Sequence, residues 1–349
     1  MAKNIAIELA KKQQAISVSQ FFERNRHLLG FDNPRRALLT TIKEAVDNSL
    51  DACEEARILP SIKVIIKQLQ EERFSVIVED NGPGIVRKQI PHIFARLLYG
   101  SKFFSMKQSR GQQGIGISAA VLYAQLTTGK PAKIITKISK NKPAHYYELK
   151  IDTKNNEPVI VDKKQVPFDN DNGIRVELEM EAIYQKGVRG VDEYLKQTII
   201  ANPHTELVYI NPEGKKVTYP RATEDLPVEP KEIKPHPHGI ELGIFISMLN
   251  VTKAKTLSAF LTKEFIRLSG ANVKKILSGI DVATTTKPKD IDRDLAEKIY
   301  KAIQGTKLIA PPTNCLSPIG EEALQKSFEK EVPAEFFAST IRPAAVYRG

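Results

Sequence analysis

The chain has 349 residues, 41% of them hydrophobic and 27% charged, which excludes a disordered protein and predicts two or three domains. No apolar run is long enough for a membrane span, no signal core follows the N-terminus, and two distant cysteines exclude a disulfide or zinc framework. We expect a cytoplasmic protein, because the two cysteines are typical of reduced thiols. The net charge of +11 favours polyanionic partners such as DNA but does not establish one by itself.

The first 20 residues form a predicted amphipathic arm, with Ile5, Leu9, Lys12 and Ile16 on one side. A frayed terminal helix is the alternative interpretation of the same residues. Ser19 is the predicted N-cap of the next helix.

A long helix is predicted from Asn33 to Cys53, with Asn33 as its cap and Pro34 at its first position. One side of it is apolar: Leu38, Leu39, Ile42, Val46, Leu50 and Cys53. Glu44, Asn48 and Asp51 fall on the opposite side, at i, i+4 and i+7. Taken alone, this polar stripe is typical of a solvated helix face.

Two strands are predicted next, at 61–68 and 74–79, and the second delivers Asp80 to a strand end. Gly82 and Gly84 follow, and a flat ring can lie close to a backbone that has no Cβ atoms. Asp80 can accept a hydrogen bond from an exocyclic amine, which adenine has and guanine lacks at that place. An ordinary hairpin turn is the alternative.

A short helix is predicted at 90–99, and the irregular segment that follows resembles a lid over phosphates, with Lys102, Lys107 and Arg110 as its charges. Gly111, Gly114 and Gly116 then lead into another helix, where loop amides and the helix N-terminus make an anion site. The pattern is neither a Walker A loop nor a dinucleotide-binding fingerprint.

Further predicted strands at 132–139, 145–152, 158–162 and 174–180 complete a mixed sheet with helices on one face, a two-layer α+β sandwich. A helix at 188–202 and a hairpin at 205–219 precede a Pro-rich linker and an all-helical region. The predicted domains are 1–20, 21–222, 223–239, 240–310 and 311–349. Five lysines of the helical region could contact DNA or simply face solvent: Lys253, Lys255, Lys263, Lys274 and Lys275.

The order of these motifs resembles the Bergerat-type ATPases of the GHKL superfamily, which includes gyrase, Hsp90, histidine kinases and MutL. The segments KEAVDNSLDA, EDNGPGI, LLYGSKF and SRGQQGIGISAAVLYAQ, with NCLSPIGEE near Asn314, are similar to the B subunit of type IIB DNA topoisomerases, the archaeal topoisomerase VI. The resemblance covers nearly the whole chain.

This resemblance implies ATP and Mg²⁺ as cofactors, with Glu44 activating the attacking water, Asn48 ligating the metal and Lys102 on the phosphates. Asp80 would select adenine. The implied nucleotide-binding residues are Asn48, Asp80, Gly82, Gly84, Tyr99, Ser101, Lys102, Gly111, Gln112, Gln113, Gly114, Ile115, Gly116 and Ile117. The family usually places a Thr after the glycine that opens the last strand, whereas this chain has Ile174 after Gly173.

The resemblance also implies partners: double-stranded DNA, a separate A subunit that carries the cleaving tyrosine, and a second B chain contacted through the N-terminal arm when ATP closes the dimer. Residues 240–310 resemble a helix–two-turn–helix domain. From Thr313 the chain resembles a transducer domain of which only a strand or two is expected before Gly349. We therefore expect a fragment that lacks the transducer lysine.

Three alternatives stay open. A histidine kinase domain shares the Asn helix and glycine boxes but has no use for Glu44. An Hsp90- or MutL-like ATPase is chemically closer, and the sequence beyond Met180 argues against it. The third is a nucleotide-binding DNA clamp or scaffold with little turnover.

Overall fold

The structure is a computed structural model that describes residues 9–10, 13–103, 105–111 and 114–346. The chain forms two compact units. The first contains residues 1–104, 109–229 and 318–340, and the second contains residues 105–108, 230–317 and 341–349. Of the predicted arm, Ile5 and Lys12 lie outside the described residues, while Leu9 and Ile16 are exposed.

The first unit is built on an eight-stranded sheet with the order β5-β4-β3-β6-β2-β1-β7-β8. Its strands are β1 (Ser61–Gln70), β2 (Arg73–Asp80), β3 (Ala132–Lys137), β4 (Ala144–Asp152), β5 (Glu157–Val166), β6 (Gly173–Glu181), β7 (Glu206–Ile210) and β8 (Lys216–Tyr219). The sheet is mixed because β1 and β7 are parallel whereas the other pairs are antiparallel.

The helices of the described residues are α1 (Val18–Arg24), α2 (Pro34–Glu55), α3 (Ile90–Ala95), α4 (Gly116–Thr128), α5 (Val191–Ala201), α6 (Leu242–Val251), α7 (Leu257–Glu264), α8 (Gly270–Ser278), α9 (Arg293–Gln304) and α10 (Glu321–Glu331). The first five and α10 belong to the first unit.

One face of the sheet is apolar and the other is charged. Along β6, Val176, Leu178 and Met180 are buried in the core with α2 and α4, whereas Arg175 and Glu177 alternate with them on the other face. Arg175 pairs there with Glu79 of β2, at 3.3 Å. This alternation confirms the predicted two-layer α+β sandwich.

Three predicted boundaries are wrong. Helix α1 is capped by Ser17, not Ser19, because the Ser17 hydroxyl and the Gln20 side chain exchange hydrogen bonds with each other's backbone. Helix α3 ends at Ala95, not Tyr99, since the next residues turn extended and then left-handed, with φ of 57° at Leu98.

The third correction concerns residues 313–346, where the described chain contains helix α10 and not the expected strand. Gly320, with φ of 90°, ends the preceding extended segment, and Glu321 and Glu322 then favour the start of a helix through the helix dipole. Helix α10 packs on α5 of the first unit.

The second unit has its own helical core, formed around Phe245, Phe260 and Phe265 of α6, α7 and the segment after α7. This agrees with the all-helical expectation for residues 240–304. Within this unit, Gln108 donates its backbone N–H to Cys315 O at 2.8 Å. None of the helices in the described residues combines the length and apolar character that crossing a bilayer demands.

Candidate nucleotide site

A cavity of about 1030 Å³ opens in the first unit between α2, the ends of β2 and β6, and the segment that leads into α4. The structure brings nearly all the predicted site residues to its wall: Glu44, Asn48, Asp80, Gly84, Tyr99, Ser101, Lys102, Gly111, Gly114, Ile115, Gly116 and Ile117. Gly82 does not line the cavity, but its backbone N–H donates to Asp80 Oδ1. Gln112 and Gln113 lie outside the described residues.

Glu44 and Asn48 of the polar stripe of helix α2 line this cavity, and the third member, Asp51, is buried. Its start is fixed by Asn33, whose side chain accepts the N–H of Arg36 at 2.9 Å, followed by Pro34. The apolar side of the helix, including Leu38 and Ile42, is buried in the core. Asp51 is only 4% exposed, so the solvated-face interpretation of the stripe is wrong.

Glu44 lies directly against the first residue of α4. A Cβ atom at Gly116 would stand 1.7 Å from Glu44 Oε2, so any larger residue there would displace the Glu44 side chain. Burial raises the pKa of Glu44, and the neighbouring carboxylate of Asp47 raises it further, while Lys43 opposes both. A carboxylate with a raised pKa in a cavity is a better proton acceptor than an exposed one and is a candidate general base.

Asp80 is held at the end of β2 by three donors and forms, with Ser49, Gly82 and Ile174, what we name the Asp80 cluster. The Ser49 hydroxyl donates to Asp80 Oδ2 at 2.7 Å, and the backbone N–H groups of Gly82 and Ile174 donate to Oδ1 at 2.9 and 3.3 Å. Burial raises the pKa of Asp80, and these three hydrogen bonds oppose the rise. A carboxylate has about four acceptor sites, so one remains for a ligand.

The position where the family usually has a threonine is occupied by Ile174, which lines the cavity with its side chain and serves Asp80 through its backbone. The hydroxyl nearest to that role in the described site belongs to Ser49, on helix α2. A second hydroxyl, that of Thr136, lies opposite Ile174 in the pairing of β3 with β6. It is already occupied, because it donates to Gly173 O and accepts the N–H of Ile85.

The segment between α3 and α4 is tied to α2 through Asp51. Lys102 Nζ lies 2.6 Å from Asp51 Oδ2, and the backbone N–H groups of Arg110 and Gly111 donate to the same oxygen, each at 3.2 Å. The Gly111 amide, predicted to hold phosphate, therefore points to a carboxylate in this structure. The amide groups that open α4 are different, since no side chain of the described residues caps that helix start and Gly116 and Ile117 line the cavity.

The Arg110 guanidinium joins this segment to two further acceptors. It bonds Asp51 Oδ1 at 2.9 Å, both oxygens of Glu54 at 2.8 Å and Asn202 Oδ1 at 2.5 Å. Glu54 also contacts His204 Nε2 at 2.9 Å. Burial alone would raise the pKa of Glu54, but the hydrogen bonds from His204 and Arg110 outweigh it and lower that pKa to about 2.

We name these residues the loop cluster: Asp51, Glu54, Lys102, Arg110, Asn202 and His204. Three of them, Glu54, Asn202 and His204, were not predicted from the sequence. Asn202 and His204 stand 92 and 150 residues from their partners Arg110 and Glu54, so no local pattern could have joined them. Glu54 continues the polar stripe of α2 by one more turn, a signal that the helical periodicity does contain.

Comparison with known protein families gives two matches. Residues 33–153, which contain α2, Asp80 and the start of α4, match the family described as histidine kinase-, DNA gyrase B-, and HSP90-like ATPase. Residues 311–349 match the family described as topoisomerase VI B subunit, transducer.

Individual relatives share one description, the B subunit of type 2 DNA topoisomerase 6. The protein of Methanococcoides burtonii is 53% identical over an aligned length of 350, which covers 100% of this chain and 56% of the relative. That of Archaeoglobus fulgidus is 47% identical over 98% of this chain and 57% of the relative. That of Pyrococcus furiosus is 38% identical over 99% of this chain and 69% of the relative. The chain thus spans little more than half the length of the first two relatives.

Proposed function

Because this chain belongs to the family of topoisomerase VI B subunits, we propose that its cavity binds ATP and hydrolyses it to drive a DNA topoisomerase of type IIB. One observation carries the proposal: Glu44, Asn48, Asp80 and the uncapped start of α4 converge on a single cavity of about 1030 Å³. The wall of this cavity therefore contains three features that ATP hydrolysis needs. They are the buried Asp80 carboxylate for adenine, the start of α4 for the phosphates, and Glu44 to activate water.

Adenine is proposed to bind at Asp80. The carboxylate keeps one acceptor site beyond its three protein donors, and it lies at a strand end beside the apolar residues Val78, Ile174 and Val176. An exocyclic amine satisfies that acceptor, whereas the carbonyl of guanine would face it with like charge. This chemistry selects ATP over GTP.

The phosphates are proposed to bind where α4 begins, because its first N–H groups have no side-chain cap and the helix dipole favours anions. Asn48 is proposed to hold a magnesium ion beside these phosphates, since it lines the same cavity as Gly116 and Ile117 and amide oxygens suit hard cations. The described residues contain no cluster of three or more potential metal-ligating His, Cys, Asp or Glu side chains. Bound Mg²⁺ supplies neutralisation of phosphate charge.

Glu44 is proposed as the general base. Its raised pKa makes its carboxylate a stronger proton acceptor than an exposed one, and its contact with Gly116 holds it at the start of the phosphate site. Lys102 would leave Asp51 to contact the phosphates, where charge builds in the transition state.

DNA, a separate A subunit and a second B chain are the proposed partners, with the complex acting at the nucleoid. Support for DNA comes from the second unit, where eight basic and two acidic side chains lie between Lys253 and Lys289 and all eight basic ones are exposed. Neutralising Lys274 and Lys275 with Gln should reduce the salt dependence of DNA affinity by roughly one unit per lost phosphate contact. An unchanged slope would remove these two lysines from the DNA site.

A calorimetric titration tests the nucleotide proposal. Mg-ATP should bind the chain, GTP should not, and Asn48→Ala should weaken the binding of Mg-ATP. Asn155→Ala, an exposed asparagine in the turn before β5, is the matched control and should bind as the unmutated chain does. Absence of ATP binding to the folded chain would refute the site. Binding without turnover would favour the alternative, a nucleotide-dependent clamp.

A further inference from the structure

Arg110 belongs to the segment after α3 that was predicted to cover the phosphates. Its side chain is surrounded by hydrogen-bond acceptors of the first unit. Its guanidinium makes four hydrogen bonds, to Asp51, to both oxygens of Glu54 and to Asn202, with distances of 2.5 to 2.9 Å. The fork of an arginine has only five N–H donors, so most of its capacity is used by the protein.

The charges around Arg110 also leave it little capacity to attract a phosphate. Two carboxylates, Asp51 with a side chain 5% exposed and Glu54 with a side chain 20% exposed, face this one guanidinium. Their proximity neutralises Arg110, so it would add little attraction for a phosphate group. Lys102 makes one close contact, with Asp51 Oδ2 at 2.6 Å, and a longer one, at 3.8 Å, with Glu55, whose side chain is half exposed, so it can exchange these oxygens for a phosphate oxygen more readily.

Arg110 directly precedes Gly111, the first of the three glycines (Gly111, Gly114 and Gly116) that we name the glycine segment. Its own backbone N–H and that of Gly111 donate to the carboxylate of Asp51, which is itself fixed on α2 one turn beyond Asn48. The same carboxylate binds Lys102. One acidic side chain of α2 therefore holds both ends of the segment that runs from Lys102 to Gly111.

We propose that Arg110 is a positioning residue, which fixes the glycine segment for the phosphates through Asp51, Glu54 and Asn202 without touching the nucleotide. The inference rests on the proposed ATP site and deepens it. Its consequence is selective: the position of the phosphate-binding amides depends on Arg110, whereas Asp80 is held by Ser49, Gly82 and Ile174 and does not.

The decisive experiment compares ATP, ADP and adenosine on Arg110→Ala. We expect ATP and ADP to bind roughly tenfold to a hundredfold more weakly, because losing a hydrogen bond to a charged group such as a phosphate typically costs about that much. Adenosine, which has no phosphate, should bind with unchanged affinity. Arg110→Lys, which keeps the charge but not the fork, should restore only part of the loss.

Arg57→Ala is the matched control, since Arg57 follows the same helix but donates to the backbone oxygen of Pro227. It should leave all three affinities unchanged. If Arg110→Ala fails to fold, Glu54→Gln takes its place, because it removes charge from the same fork and should produce the same selective loss.

Two results would overturn the inference while the ATP site stands: full ATP affinity in a folded Arg110→Ala, or equal losses for ATP and adenosine, which indicate a general structural defect. A chain that binds no ATP even when unmutated would instead refute the proposed function, and the inference with it.

Discussion

The Asp80 cluster and the loop cluster share one cavity but are built from different kinds of contact. Two of the three donors to Asp80 are backbone N–H groups at strand ends, and the third is a hydroxyl of the adjacent helix. The loop cluster depends on charged side chains that join α2 to a segment without regular structure. The first is fixed by the sheet, whereas the second must be held by ion pairs.

This difference suits two binding tasks. The adenine base has a constant shape and needs a rigid acceptor, and the Ile174 donor of β6 cannot rearrange without disturbing the sheet. Phosphates enter, change charge and leave, so the groups that meet them need exchangeable partners. Lys102 on Asp51 is such a partner, because a phosphate oxygen can replace the carboxylate oxygen at 2.6 Å.

The largest effect should come from Glu44, which belongs to neither cluster. Glu44→Gln should lower the rate of ATP hydrolysis about 10²- to 10⁴-fold and leave ATP affinity unchanged, because it removes the base and no binding group. Single-turnover hydrolysis and calorimetry measure the two quantities separately. Weaker binding in the variant would mean that Glu44 also contributes to holding the nucleotide.

Glu72→Gln, at an exposed position in the turn between β1 and β2, is the control for that substitution. The pH profile adds a second check. Since burial raises the pKa of Glu44, the rate should climb with pH through a value above the ordinary range of a glutamate. The profile of Glu44→Gln should lack this limb.

Asp80→Asn should have the next largest effect and be confined to the base. The amide presents a donor where adenine needs an acceptor, so ATP affinity should fall by about 1 to 3 kcal/mol, roughly fivefold to 150-fold, and the preference over GTP should shrink. Competition titration with both nucleotides measures the ratio. Ser49→Ala, which removes one donor to the same carboxylate, should show a smaller loss. An unchanged ATP-to-GTP ratio in Asp80→Asn would contradict base recognition at this residue.

Acid should affect the two clusters in opposite directions. The pKa of Glu54 is lowered to about 2 from an ordinary 4.5, so its stabilising contribution is present above about 4.5 and is lost as pH falls toward 2. The pKa of Asp80 is raised, so its contribution is present at low pH and is lost as pH rises through that raised value.

The measurement is the free energy of unfolding of Glu54→Gln and the unmutated chain as a function of pH. The variant should be less stable at pH 7, and the difference should shrink on acidification below about 4.5. Asp80→Asn is the comparison, since its difference from the unmutated chain should change in the opposite sense. A difference for Glu54→Gln that stays constant with pH would exclude an ionised Glu54 as the centre of the loop cluster.

Sequence patterns predicted the fold and the Asp80 cluster better than the loop cluster, for a physical reason. Helical periodicity and strand alternation are local, so α2, β2 and the strand-end position of Asp80 could be predicted from neighbouring residues. The side-chain partners of Arg110 are Asp51 and Glu54 of helix α2 and Asn202, which lies between α5 and β7. The helical pattern contains Asp51 and, one turn on, Glu54, whereas the contact with Asn202 depends on tertiary packing.

The smallest effect tests the unusual residue of the Asp80 cluster. Ile174→Thr places a hydroxyl beside a carboxylate that already accepts from Ser49, Gly82 and the Ile174 backbone. If the base requires a second polar contact at this place, one net hydrogen bond of about 0.5 to 1.5 kcal/mol should tighten ATP binding roughly twofold to tenfold. Ile174→Val, which trims the side chain without a hydroxyl, is the control.

We expect a gain at the lower end, because Ser49 on α2 already supplies the hydroxyl that the family usually carries on the strand. No gain in Ile174→Thr, joined to a clear loss in Ser49→Ala, would assign that hydroxyl to the helix alone. A tenfold gain would mean instead that the rigid backbone donors leave the base incompletely recognised.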